Sequence, residues 1–92
     1  MLAMLAIGLN HKTAPIALRE QLAFSAEQTP MALRNLVGLD AVNEAVILST
    51  CNRVEVYCAG SASEAVKAWL ASFHRISPDE LAPHLYCYQK QE

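Results

Sequence analysis

The chain has 92 residues, of which 53% are apolar and 17% are charged, so it can bury one small core and is not a disordered segment. This length corresponds to a single domain spanning residues 1–92. The net charge of −2 excludes a global electrostatic attraction to nucleic acid, so any polyanion would need a local basic cluster.

The N-terminus and the cysteines indicate the cellular compartment that we expect for this chain. The first seven residues are apolar but lack the basic start of a signal peptide, and the run stops at Gly8, short of the ~20 residues of a membrane span. The three cysteines are separated by 7 and 29 residues and form no C-x-x-C pair. This spacing predicts free thiols and supports no metal site. We therefore expect a cytoplasmic protein with no membrane association.

The first part of the chain predicts one strand and two helices. Residues 4–9 predict the strand, which ends at Asn10, and residues 13–22 predict a short helix. The second helix has two candidate starts, a capping box at residues 25–28 and an N-cap followed by proline at residues 29–30. Its predicted buried face consists of Leu33, Leu36 and Val37, and Gly38 ends it.

Two strands in the middle of the chain predict a hairpin. Residues 44–50 contain the continuous apolar run A-V-I-L, which is typical of a central strand. Residues 53–58 alternate instead, which predicts one apolar and one polar face. The apolar face holds Val54, Val56 and Cys58, and the polar face holds Arg53, Glu55 and Tyr57. The turn between the strands is Thr50-Cys51-Asn52, and asparagine is a common turn former.

The last part predicts a helix, a short turn and a final strand. Residues 61–64 fit a capping box, and the helix that follows carries an apolar stripe that we expect to be core. The stripe consists of Val66, Trp69, Leu70 and Phe73. A turn begins at Ser77-Pro78, and residues 85–88 predict the last strand. This element order predicts an α+β fold of the ferredoxin-like split β-α-β type, a four-stranded antiparallel sheet with helices on one face.

Cys51 is the candidate nucleophile, because it lies where a predicted strand gives way to a turn that solvent can reach. A thiol attacks as its thiolate, so an ordinary pKa of about 8.5 has to be lowered. Arg53 is a permanent cation two residues away, and His11 at the end of the first strand could also approach. The alternatives are an inert cysteine at a strand end, and an arginine that only pairs with Glu55 on its own face.

The other polar residues each have a structural reading beside the functional one. Thr50 and Asn52 are either plain turn residues or hydrogen-bond donors to a substrate carbonyl. Taken alone, His11 is more typical of a solvent-exposed histidine than of a catalytic base. His74 is expected on the polar side of the last long helix. We expect structural or solvated roles for His74 and His84, and packing roles for Cys58 and Cys87.

Three segments carry a family resemblance: G-L-N-H-K-T-A-P at 8–15, L-R-E at 18–20 and S-T-C-N-R-V-E-V-Y at 49–57. Together they closely resemble the N-terminal catalytic domain of glutamyl-tRNA reductase, and the resemblance covers essentially the whole chain in order. It implies a ferredoxin-like fold and a glutamyl-tRNA substrate. Cys51 matches the nucleophile that attacks the ester joining glutamate to the 3′ adenosine of tRNA. NADPH then reduces the thioester to glutamate 1-semialdehyde, the first committed step of tetrapyrrole synthesis.

The resemblance also implies a set of substrate-binding residues. Thr50, Asn52 and Arg53 match positions that line the glutamate pocket, with Arg53 binding a substrate carboxylate. His11, within the first motif, is placed in the same set. Affinity for tRNA would come from parts outside this chain or from a local patch near Lys12, Arg19 and Arg53.

The chain stops before other parts of the family pattern: a histidine-bearing helix, a G-L-D-S-type motif, a nucleotide-binding domain and a helical dimerisation domain. The resemblance therefore implies that NADPH binding and homodimer formation belong to domains absent here, and no G-x-G-x-x-G occurs. We expect that this chain alone cannot complete the reduction, and that the active-site histidine is not His84 but lies beyond residue 92. The competing interpretation is a non-catalytic ferredoxin-like module that binds RNA or a small ligand. Residues 45–48 offer no aromatic side chain to stack on RNA bases.

Overall fold

The structure, a computed structural model, describes residues 3–39, 42–60 and 62–91. The strands are β1 (Ala3–Asn10), β2 (Val42–Ser49), β3 (Arg53–Gly60) and β4 (Tyr86–Gln91). The helices are α1 (Ile16–Leu22), α2 (Thr29–Val37), α3 (Ser63–Phe73) and α4 (Pro78–Leu81), and a 3₁₀ turn follows at Ala82–His84. The predicted elements are therefore present, and the last strand starts one residue later and runs three residues further than expected.

The four strands form one antiparallel sheet in the order β2-β3-β1-β4. This confirms the α+β class and the four-stranded antiparallel sheet. The prediction that residues 44–50 form a central strand is wrong, because β2 lies at an edge. Its apolar run conceals an alternation: Ala45 and Ile47 pack against the core, whereas Val46 is 62% exposed.

One face of the sheet and the helices enclose a single apolar core. The strands contribute Leu5, Ile7, Leu9, Val54, Val56 and Cys58, and the helices contribute Leu22, Ala32, Leu36, Val66, Leu70, Ala71 and Leu81. Each fully buried leucine, isoleucine or valine side chain among these contributes about 1.5–3 kcal/mol to folding. The other face of the sheet, which we call the open face, carries the exposed side chains of Met4, Val46 and Tyr88.

The structure contains features of both candidate starts of the second helix. The Ser25 N–H donates to Gln28 Oε1 at 3.0 Å and the Gln28 N–H donates to Ser25 Oγ at 3.1 Å, so the capping-box bonds form. The helix itself begins at Thr29, immediately before Pro30. The predicted buried face is wrong at Val37, which is 43% exposed; Ala32 takes its place beside Leu36.

The third helix begins at Ser63 with Ala62 as its N-cap, and no side chain of the described residues bonds to that cap. The predicted capping box starts at Ser61, which lies outside the described residues, so the box stays a prediction. The apolar stripe is confirmed: Val66 and Leu70 are buried, and Trp69 and Phe73 pack against the core.

His74 lies in an aromatic cluster and not on the polar side of its helix. Its ring centroid is 4.5 Å from that of Phe24 and 5.3 Å from that of Phe73. Burial against these rings lowers the pKa of His74 below its ordinary value of 6.5, because the charged imidazolium loses hydration there. The structural role expected for this histidine is therefore that of a neutral packing residue.

The lowered pKa of His74 predicts a loss of stability in mild acid. Well above pH 6.5 the ring is neutral in both states, and as the pH falls through 6.5 the unfolded chain takes up the proton first. We expect the melting temperature to fall between pH 7 and pH 5.5, and the His74→Phe variant to lose less over this interval. The exposed Met31 supplies the control, since Met31→Leu changes no titratable group and should keep the wild-type slope. Equal slopes for the wild type and His74→Phe in calorimetry would contradict this assignment.

Candidate active site

The hairpin tip between β2 and β3 takes its shape from Thr50. The Thr50 N–H donates to the Arg53 carbonyl at 2.8 Å. The Thr50 hydroxyl oxygen accepts from the N–H groups of Asn52 and Arg53, each at 3.2 Å. A side chain that satisfies two successive backbone donors fixes the turn locally. Thr50 therefore has the structural role that the sequence left open, and Cys51 occupies the middle of a fixed turn.

Cys51 is the exposed thiol of the three, since Cys58 is buried and Cys87 is partly buried against the core. Its backbone carbonyl accepts a hydrogen bond from Arg19 Nη1 at 3.1 Å, so helix α1 is tied to the hairpin tip. From the sequence, Arg19 was predicted only as part of a possible basic patch, and its contact with the hairpin tip was not predicted. The L-R-E motif at residues 18–20 was the one signal that pointed to it.

The difference in exposure predicts the order in which the three thiols react. Iodoacetamide should alkylate Cys51 at least roughly tenfold faster than Cys87, and Cys58 should react only through opening of the structure. Burial raises the pKa of the Cys58 thiol, which slows its alkylation further. Peptide mass spectrometry after timed quenching gives the three rates. Faster modification of Cys87 than of Cys51 would count against Cys51 as the reactive thiol.

Arg53 points to the open face of the sheet, where it meets Glu55. Arg53 Nε lies 3.6 Å from Glu55 Oε1; the arginine side chain is 53% exposed, whereas that of the glutamate is only 11% exposed. The pairing that the sequence offered as the alternative for Arg53 is therefore present. A half-exposed guanidinium still has donors available for a carboxylate, because it carries five N–H groups.

Two tyrosines complete the environment of Glu55. Tyr57 donates its hydroxyl to Oε1 and Tyr86 donates to Oε2, both at 2.5 Å. Burial alone would raise the pKa of Glu55, but these two hydrogen bonds and the Arg53 charge outweigh burial and lower that pKa. Tyr86 has its own pKa raised by burial and by its bond to Glu55. The result is a charged carboxylate that stays beside the guanidinium.

Gly8 makes room for this carboxylate. In the sheet, Gly8 lies between Glu55 on β3 and Tyr86 on β4. A Cβ atom at Gly8 would come within 2.5 Å of the Val54 carbonyl oxygen and 2.7 Å of Glu55 Cγ. Real Cβ atoms do not approach other atoms that closely, so a side chain here would displace the Glu55 cluster. The sequence could not reveal the contribution of Tyr86, because it reaches Glu55 across an intervening strand.

His11 lies in the turn that follows β1, and its side chain is exposed. Asn10 Oδ1 holds this turn by accepting from the N–H groups of Lys12 at 2.9 Å and Thr13 at 3.2 Å. Asn10 also pairs in register with Arg53, so the turn lies at the same end of the sheet as the hairpin tip. In the described part of the chain, no hydrogen bond joins His11 to Cys51.

His84 anchors the same turn from the far end of the sequence. Its Nδ1 lies 2.9 Å from the Thr13 carbonyl oxygen, which confirms a structural role for this histidine. The arrangement ties the 3₁₀ turn before β4 to the segment that carries His11. The end of β1 is therefore held on one side by the pairing of Asn10 with Arg53 on β3, and on the other by the bond between Thr13 and His84 before β4.

The described residues do not form a dinucleotide site. That site needs a glycine-rich turn between a strand and a helix in a parallel sheet, whereas here the sheet is antiparallel and Gly8 lies within a strand. NADPH therefore does not fit the residues present. Over residues 3–39, 42–60 and 62–91, no cluster of three or more acidic, histidine or cysteine side chains could hold a metal ion. None of the helices in these ranges has the length and apolar character to cross a membrane.

Fold and site together define a small α+β domain that presents one exposed thiol at a hairpin tip, with Arg19 holding the tip and a buried carboxylate beside Arg53. The family described as the N-terminal domain of glutamyl-tRNA(Glu) reductase matches residues 7–92. The chain belongs to this family, as the three motifs indicated.

Named relatives agree with this assignment. The glutamyl-tRNA reductase of Neisseria meningitidis serogroup B is 52% identical over 87 residues, which cover 95% of the chain. That of Pseudoalteromonas translucida is 50% identical over 90 residues, which cover 96% of the chain. The chain spans about a fifth of the length of these relatives, 21% and 22% respectively.

A solved structure shows the same fold. The glutamyl-tRNA reductase from Methanopyrus kandleri superposes with a TM-score of 0.60 at 24% sequence identity. The match covers 97% of this chain and 19% of the other. At this identity the likeness shows the fold of the domain, and the chemistry has to be argued from the residues.

Proposed function

We propose that this chain carries out the covalent half of glutamyl-tRNA reduction. The Cys51 thiolate attacks the carbonyl carbon of the ester between glutamate and the 3′ adenosine of tRNA. A carbon–sulfur bond forms, the carbon–oxygen bond to the ribose breaks, and the ribose oxygen takes up the proton that the thiol gave up to water. The products are a glutamyl thioester on Cys51 and free tRNA.

The observation that carries this proposal is the position of Cys51. It is exposed in the middle of a turn whose backbone Thr50 fixes, while the other two cysteines contribute to the core. A nucleophile on a rigid, solvent-facing turn can meet a macromolecular ester that could never enter a closed pocket. Membership of the reductase family supports the choice of an activated aminoacyl ester.

Arg53 is the proposed ligand of the glutamate side chain. Its guanidinium is half exposed, and Glu55 fixes it from the buried side while leaving donors on the open side. Asn52 and His11 are exposed and lie at the same end of the sheet, which supports their place in the glutamate pocket. Thr50 would serve the pocket through its backbone and through the shape of the turn, because its hydroxyl already bonds to the turn.

The reduction of the thioester is proposed for the full-length enzyme. The described residues do not form a dinucleotide site, so NADPH would bind to another domain of a longer protein, which would also form the homodimer. We propose a cytoplasmic location, which the free thiols support. We also propose that the domain is ferredoxin-like, since its strand order and antiparallel neighbours fit the split β-α-β arrangement.

Transfer of glutamate to the protein tests the proposed function. Incubation with [¹⁴C]glutamyl-tRNA should leave label on the protein, and neutral hydroxylamine should release it, as it does for thioesters. NADPH added to this chain alone should yield no glutamate 1-semialdehyde. Binding of the tRNA without any covalent label would favour the non-catalytic RNA-binding alternative instead.

A further inference from the structure

A groove of about 370 Å³ lies directly against Cys51. One wall is helix α1 with the residues that follow it, and the other is the end of β2 with the hairpin tip. The residues that matter for its chemistry are Ile16, Arg19, Glu20, Thr50 and Cys51. Arg53 does not line this groove.

The groove and the Arg53 side chain lie on opposite sides of the sheet. Arg53 and Glu55 face the open side, together with Tyr57. Helix α1 lies on the core side, where Leu22 is fully buried in the apolar cluster. The hairpin tip is where these sides meet, and Cys51 lies on it.

An ester places two different groups on its carbonyl carbon, the acyl chain and the leaving oxygen. A thiolate that attacks this carbon from the tip can direct one group to each side of the sheet. Arg53 takes the glutamyl carboxylate on the open side under the proposed function, on which this inference rests. We propose that the groove between α1 and the hairpin tip binds the 3′-terminal nucleoside of the tRNA, which is the leaving group.

The groove offers what a terminal nucleoside and its phosphodiester need. Ile16 is 63% exposed and presents an apolar surface for one face of a base. Arg19 brings a positive charge to the groove for the adjacent phosphate. The Arg19 Nε is buried and, among the described residues, has no hydrogen-bond partner. The exposed Glu20 carboxylate can accept from a ribose hydroxyl.

The step balances without another reactant. The sulfur displaces the 3′ oxygen, so the carbon–sulfur bond replaces the carbon–oxygen bond and no oxidation or reduction occurs. The proton lost by the thiol to water is regained by the ribose oxygen. The nucleoside then leaves the groove with the tRNA, and the acyl group stays on the Arg53 side.

Two glutamyl donors distinguish an effect of a substitution on the groove from an effect on the acyl side of the site. One is glutamyl-tRNA, and the other is the α-benzyl thioester of glutamate, which has the same acyl group and no nucleoside. We expect Ile16→Ser to slow acylation by glutamyl-tRNA about tenfold, the effect of losing one base contact, and to change acylation by the thioester by less than about twofold. Met31→Ser is the matched control, because Met31 is an exposed apolar side chain on a different helix, α2.

A binding measurement on the unaltered chain accompanies the kinetics. Adenosine 5′-monophosphate should shift the methyl NMR signals of Ile16 and leave those of Val46, which lies on the edge strand β2, in place. Unshifted Ile16 signals, or an Ile16→Ser variant that affects both donors or neither, would overturn the groove as the nucleoside site. A wild-type chain that accepts the thioester but not glutamyl-tRNA would overturn it too. If the wild type accepts neither donor, the proposed function itself fails.

Discussion

Replacement of Cys51 with serine is expected to abolish transfer of glutamate from glutamyl-tRNA to this chain, with a fall in rate of about a thousandfold or more. Serine fits the same turn, so the substitution removes the thiolate and leaves the shape of the hairpin tip intact. A serine hydroxyl stays protonated near neutral pH without a base to activate it. The measurement is covalent label on the protein after a single turnover, read by acid precipitation.

The two other cysteines provide matched controls for this result. Cys58 is 2% exposed and packs in the core, and Cys87 is partly buried beside it. Alanine at either position removes a thiol without placing a hydroxyl in the core, and both variants should take up label at the wild-type rate. Label that persists in Cys51→Ser and disappears in Cys87→Ala would move the nucleophile from the hairpin turn to strand β4 and contradict the proposed mechanism.

The second large effect is expected at Gly8. A methyl group there would meet the Val54 carbonyl oxygen at 2.5 Å, and backbone atoms in the middle of a sheet cannot move aside as a flexible side chain can. Gly8→Ala should lower the free energy of unfolding by about 2–3 kcal/mol, at the upper end for overpacked sites. This is a large part of the stability of a small domain, which totals about 5–15 kcal/mol. Urea denaturation measures the change.

Gly38 supplies the comparison for Gly8. A Cβ at Gly38 would lie 3.3 Å from the Asn35 carbonyl oxygen, and the residue already has the helical φ of −76° that alanine adopts. Gly38→Ala should therefore leave the unfolding midpoint unchanged or raise it slightly. If Gly8→Ala and Gly38→Ala unfold at the same urea concentration, the close contact at Gly8 does not destabilise a sheet that carries a side chain there.

The contrast between local and long-range pattern explains what the sequence could reveal. The alternation of residues 53–58 predicted both faces of β3 correctly, because neighbouring side chains on a strand point to opposite sides. The run at residues 45–48 did not reveal an edge strand, because exposed Val46 has the same apolar character as buried Ile47. Strand position depends on pairing partners far away in the chain, which no local window contains.

Distance along the chain also limits what could be predicted of the site. Cys51, Thr50 and Arg53 are close in sequence, and their motif was sufficient to bring them together. Arg19 and Tyr86 reach the hairpin from 32 and 31 residues away, through a backbone carbonyl and a carboxylate respectively. Neither contact follows from residue type or spacing. The grouping of Cys51, Thr50 and Arg53 at one hairpin could therefore be predicted from sequence, whereas the contacts that Arg19 and Tyr86 make with that hairpin could not.

The bond between Tyr86 and Glu55 has a consequence for biosynthesis. Glu55 lies on a middle strand, but the hydroxyl that completes its environment comes from β4, which is the last strand of the sheet to leave the ribosome. Until β4 docks beside β1, that carboxylate lacks one of its two tyrosine donors, and the guanidinium next to it has a less ordered anchor. A nascent chain therefore exposes the Cys51 turn as soon as β2 and β3 pair, but it completes the hydrogen-bonded environment of Glu55 only once its final strand is in place.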